Sequence, residues 1–282
     1  MKRAAIIIGV LGIAASSLAQ SNNKPAGQSA PAGQAAAAAP QGKRPPQAKT
    51  QPEYDAFNAI KQLTDPAAQE KAANDFAAKF PDSELRILAY QAAMRSYEQA
   101  NNGDKMIDMA HKVLSYDADD PEALVGLAHA LAERTRDSDL DKDQRLEEAK
   151  KSAQRALITV DTDVPTVGQP PDRVEAYKGY IRSEAYDVLG KISFDAKAWA
   201  DAETNFRKSI DALPQQPDPI AIFRLAVALD MQSKYPEAMK YVNQAVDMTK
   251  EDTAAGKAAR AEKDRLTKLT GGAAPAQTLA PK

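Results

Sequence analysis

Between residues 183 and 248 one arrangement of side chains is written twice. Tyr186-x-x-Leu189-Gly190 is followed by Ala202-x-x-x-Phe206, then Ser209 and Pro214. Downstream, Ile222-x-x-Leu225-Ala226-x-x-Leu229 is followed by Tyr235, Ala238-x-x-x-Val242 and Ala245. The two leading alanines, Ala202 and Ala238, lie 36 residues apart. Within each half, apolar residues recur every three or four positions, which predicts amphipathic helices. A small residue at the matching place on each helix lets two helices approach closely, with Tyr186, Leu189, Trp199 and Phe206 filling the space around the contact. Pro214 has no amide hydrogen with which to continue a helix, and so closes the second one. A helical pair of this size cannot bury its apolar face alone, so repeated pairs must stack on one another.

Further units lie upstream. Leu124-x-x-Leu127-Ala128-x-x-Leu131 pairs with Ala149, Ala153 and Ala156 across a longer connection. Tyr90, Ala93, Met94 and Tyr97 pair with Met106, Ala110 and Val113 across the turn Asn101-Asn102-Gly103-Asp104. A shorter first unit, 53–81, carries Ala72-x-x-x-Phe76 and ends in Lys79-Phe80-Pro81. Residues 53–269 hold only six glycines and no alternating apolar run, so the expected class is all-α.

This pattern resembles the tetratricopeptide repeat: an aromatic, Leu-Gly, an aromatic, Ala-x3-Phe and a closing Pro. Ser193 departs from it, standing where a larger aromatic is usual. The resemblance implies a right-handed α-solenoid of four to five helix pairs. The expected units are 53–81, 85–118, 121–160, 183–214 and 219–248, with a capping helix over 253–269. The stretch 76–90 also resembles repeats of bacterial envelope proteins that act in outer-membrane assembly and cell-division coordination. In the repeat family the first helices of the pairs line a concave groove for peptide segments. Carried over, this places Glu122, Val125, His129 and Glu133, then Glu184, Asp187 and Lys191, then Ile220, Phe223, Val227 and Met231 along the groove. The last four form an apolar strip that either faces the groove or lies under the C-terminal helix. The Lys/Asn/Arg set with which some members grip a carboxylate is not present as a set, Arg224 standing alone.

Both ends read differently. Lys2 and Arg3, an apolar run from Ala4 to Ala15, and Ser17-Leu18-Ala19 have the three parts of a secretory signal peptide, expected to be removed after residue 19. The run is too short to span a bilayer. Residues 20–52 are rich in Ala, Pro and Gln and read as a tether, as do 270–282. The leader holds two of the 37 basic residues and none of the 39 acidic ones, so the exported chain carries a net charge of −4. Mild acidity with mixed signs argues against general nucleic-acid or anionic-membrane binding. Without cysteine, neither thiol chemistry nor a thiolate metal site is open to the chain, and it must hold itself together by packing.

Chemical motifs are sparse. His111 and His129 are 18 residues apart, too far for a zinc pair on one helix. No GxSxG, GxGxxG or phosphate-cradling loop occurs. Asp137, Asp139, Asp141 and Glu148 have the spacing of a twelve-residue calcium loop, but Lys142 occupies the place of its turn glycine. The alternative is a solvated acidic insertion. No enzyme and no cofactor is therefore expected. The expected function is a non-catalytic scaffold of the cell envelope, periplasmic or secreted, that binds another protein or peptide. An assembly factor for outer-membrane polypeptides or cell-wall material is the alternative.

Overall fold

A computed structural model describes residues 43–271. Among them are eleven helices and no strand: α1 (Gln51–Lys61), α2 (Pro66–Lys79), α3 (Leu85–Gln99), α4 (Gly103–Tyr116), α5 (Pro121–Arg134), α6 (Lys142–Asp163), α7 (Pro171–Asp195), α8 (Trp199–Ala212), α9 (Pro219–Asp230), α10 (Tyr235–Met248) and α11 (Ala254–Leu269). The leader, most of the tether and the last eleven residues lie outside the described residues.

Local chemistry sets the helix starts. α2, α5 and α9 each begin with Asp-Pro. The proline preorganises the first turn, and the carboxylate of Asp65, Asp120 or Asp218 accepts a backbone N–H of that turn at 2.7–2.9 Å. Three of the turns inside the pairs share one geometry. Asn101, Lys197 and Ser233 adopt positive φ of 55–60° directly after α3, α7 and α9. The next amide in each case bonds back to the carbonyl five residues earlier: Asn102 to Tyr97, Ala198 to Ser193, and Lys234 to Leu229. This is the closure that satisfies the orphan carbonyls of a helix end. The same hairpin is thus built three times with different residues.

Five hairpins, α1/α2 through α9/α10, stack on their sequence neighbours, giving an α-solenoid. Odd-numbered helices touch across hairpins (α1 with α3, α5 with α7, α7 with α9) and even-numbered ones make no comparable contacts. The odd row is therefore the inner layer. α11 packs on α10 and α9 as the first helix of a next pair would, burying Ala259 and Leu266. A continuous apolar core runs from Phe57 to Val188, and two smaller clusters around Phe206–Leu266 and Ile222–Ala259 continue it.

In the fourth hairpin Gly190 faces the Phe206 ring rather than Ala202. A Cβ there would lie 2.7 Å from the ring. Phe206 is fully buried, worth about 2–3 kcal/mol of apolar transfer. The aromatic missing at Ser193 is supplied one residue on. Phe194 meets Trp199 edge-on with centroids 5.3 Å apart, and Phe206 at 6.2 Å. Ala202, Ala238 and Ala245 are fully buried, Tyr186 and Leu189 half-buried, and Pro214 exposed two residues beyond the end of α8.

Two boundaries differ from expectation. α7 starts at Pro171, twelve residues before the expected 183, because its extra turns pack against α5 and α6. The tether, expected to run through 52, gives way to docked chain at residue 43 and to α1 at Gln51. Lys43 pairs with Asp117 and, at 3.3 Å, with Asp163, and its carbonyl accepts from Thr166 N. Arg44 grips Glu84 through two bonds of 2.8 and 2.6 Å. Lys49 Nζ donates to the Asp82 carbonyl at 2.7 Å. Residues 43–50 thus form a strap across the turns α2–α3, α4–α5 and α6–α7. The paired cations outweigh the composition that suggested a free segment.

Candidate functional site

The inner row carries two groups of interlocked polar side chains. Toward the N-terminal end, α3, α5 and α7 meet at Glu122. Arg95 donates to both its oxygens, at 2.5 and 2.6 Å, and the Tyr177 hydroxyl donates to one at 2.8 Å. Burial raises the Glu122 pKa, but Arg95 and Tyr177 outweigh it and hold the carboxyl below the usual range. Beside it, buried Asp120 accepts from Ala123 N and from Gln91 Nε2, each at 2.8 Å. Burial first, and then the Glu122 charge, push the Asp120 carboxyl up to about 7.

Toward the C-terminal end, α5, α7 and α9 converge. Arg224 on α9 reaches past α7 to Glu133 on α5, Nη2 to Oε1 at 2.9 Å, and its Nη1 lies 3.7 Å from Asp187. His129 Nδ1 stands 4.0 Å from Glu184, and Lys191 pairs with Asp195 at 2.6 Å. Burial raises the Glu133 pKa, but Arg224 first, then His129 and Lys191, hold it low. These side chains share one electrostatic neighbourhood. It opens at the end of α5 onto a polar cavity of about 290 Å³ lined by Asp104, Glu133, Arg134, Arg136, Asp139 and Arg145.

The structure sorts the expected groove residues. Glu122, His129, Glu184 and Lys191 lie half-buried on the inner row. Val125 is 3% exposed and belongs to the core, since its side of α5 faces neighbouring helices rather than the groove. Asp187 is also 3% exposed and lies beside Arg224 below the surface. Ile220, Phe223 and Val227 are half-buried, and Phe223 packs on the cluster to which α11 contributes Ala259. Met231, at the end of α9, is 53% exposed. Arg95, Tyr177, Gln91 and Asp120 were not anticipated. Nothing local in the sequence joins Asp120 to Gln91, 29 positions earlier.

The four residues with calcium-loop spacing are each engaged by other partners. Asp137 pairs with Lys142 at 2.8 Å, Asp139 accepts from Arg136 N, Asp141 lies 3.9 Å from Arg145, and Glu148 meets His111 Nε2 at 2.9 Å. Because α6 starts at Lys142, Glu148 points from its second turn toward α4 instead of back into the loop. Among the described residues no three His, Cys, Asp or Glu side chains are grouped to hold a metal ion.

No family model matches the sequence, and no curated protein matches it. Among solved structures, the chain is similar to an assembly chaperone of RpL4 (Acl4, residues 1–338). The identity is 12%, the TM-score 0.40, and the match covers 78% of this chain and 99% of that one.

Proposed function

We propose that this chain is a non-catalytic, tetratricopeptide-like binding scaffold of the cell envelope, whose inner helix row holds an extended segment of another protein. The observation that carries this reading is the convergence of half-buried His129, Glu184, Lys191 and Arg224 with exposed Glu133, from three successive inner helices. Side chains joined across hairpins offer a partner both cationic and anionic sites along one line. A partner carboxylate competes for Arg224 and a partner cation for Glu133, so recognition rests on exchange of ion pairs as well as apolar contact at Phe223. The envelope address rests on residues 1–19, which read as an export leader. None of the helices among the described residues is long and apolar enough to cross a membrane.

Photocrosslinking in the native cells tests both parts. A probe at Lys191 or Phe223 is expected to capture a discrete partner from the envelope fraction, and Phe223→Glu to abolish capture from Lys191. A probe at exposed Lys151 on the outer α6 is expected to capture nothing. Equal capture from Lys151, or indifference to Phe223→Glu, overturns the groove. Recovery of the chain in the cytosol with residues 1–19 retained overturns the envelope address.

A further inference from the structure

The third hairpin departs from the others at its turn. Where α3/α4, α7/α8 and α9/α10 close in three or four residues, α5 and α6 are joined by the longer run 135–141. Stacked repeats carry such insertions on one face, often the one that binds. This insertion walls the polar cavity of about 290 Å³ at the end of α5.

Arginine recurs in the lining: Arg134 from α5, Arg136 from the insertion and Arg145 from α6. Two of the three are held in place from behind. The Arg134 stem lies on the bare backbone of Gly103, where a Cβ would collide with its Cδ, and its Nε and Nη2 donate to Asp104 at 3.0 and 2.8 Å. Arg145 donates its Nε to the Thr135 hydroxyl at 3.1 Å, while its Nη1 stays 3.9 Å from Asp141. Among the described residues the Arg136 guanidinium has no partner. The lining carboxylates are engaged elsewhere: Asp104 by Arg134, Glu133 by Arg224 on α9, and Asp139 by the backbone N–H of Arg136. Arg136 and Arg145 therefore border a concavity with donors unspent. The fork of N–H groups on a guanidinium matches the paired oxygens of a phosphate or a carboxylate.

We propose that this cavity binds an oxyanion, a phosphate or carboxylate group, clasped between Arg136 and Arg145 with Arg134 as its fixed wall. The group is either a free ion or a side chain of the segment held on the inner row. Glu133 alone belongs to both places, and the cavity takes its anion whether or not the inner row holds a partner.

Isothermal titration of the full chain with inorganic phosphate at low ionic strength tests the site. The wild type is expected to take up phosphate saturably at a single site. Arg136→Gln and Arg145→Gln each remove a charge-assisted bond and are expected to weaken binding by about tenfold or more. Asp139→Asn, which removes the one lining carboxylate not held by an arginine, should tighten it. Lys151→Gln, on the outer α6, should leave it unchanged. Circular dichroism shows that each variant is folded. Absence of saturable uptake overturns the inference, as does indifference to both arginine exchanges. So does equal weakening by Lys151→Gln, or an Asp139→Asn variant that binds no more tightly. The crosslinking probe at Phe223 then identifies the source. Loss of capture in Arg136→Gln/Arg145→Gln assigns the anion to the bound segment, and unchanged capture assigns it to a free ion.

Discussion

Asp120 shows how one side chain can cap a helix and burden the fold at once. It stabilises the start of α5, yet it is buried beside Glu122, while Arg95 is committed to Glu122. Its pKa, about 7 in the fold, lies well above the unfolded value of about 3.9. Between roughly pH 4 and 7 the folded state therefore holds a proton that the unfolded state has released, so this group's contribution to stability falls as pH rises through that window. Above it both states are ionised and the whole penalty is present. Asparagine caps a helix about as well without the charge. Asp120→Asn is thus expected to stabilise the protein by about 1–3 kcal/mol at pH 8, with the gain vanishing near pH 4. Urea unfolding at the two pH values checks it, and a gain independent of pH would contradict the assignment.

At the scale of the helix pair, the close approach of α7 and α8 at Gly190 is the sharpest constraint. Gly190→Ala gains about 1 kcal/mol of helix propensity but sets a methyl group 2.7 Å from the Phe206 ring. Overpacking of this kind costs about 1–3 kcal/mol, so a net loss is expected. It should appear as a lower urea midpoint at unchanged slope, and Phe206→Leu in the same chain should relieve it. The pairs themselves were legible because their signals are local: helical period, small residues at crossings and a proline beyond α8. What escaped depends on distant partners or on backbone alone. Phe194 replaces the aromatic expected at Ser193, a one-residue shift that a fixed template misses. Lys197 and Ser233 sit in left-handed turns that favour Gly or Asn, so their identity gave no hint of the turn. Lys43 and Arg44 look like solubilising charges of a tether until Glu84, Asp117 and Asp163 are brought beside them. On the inner row, Val125 and Asp187 are buried where open groove positions were expected, because α5 and α7 are buried on more than one side.

For the whole molecule, the bridge from Arg224 to Glu133 spans two hairpins and passes over α7, so it bears on how tightly the rod curves. Arg224→Gln removes a mostly buried cation facing two carboxylates. A loss of about 1–3 kcal/mol is expected in thermal or urea unfolding. The same variant should show a larger radius of gyration by small-angle X-ray scattering, and an unchanged radius would mean that helix packing alone sets the curvature. The strap has a different, mechanical consequence. A pull on the chain ahead of residue 43 reaches the rod beside Thr166, at its flank, and not at the tip of α1. The bonds at Lys43, Arg44 and Lys49 then share the load in shear, and the first hairpins are spared from being peeled off one by one.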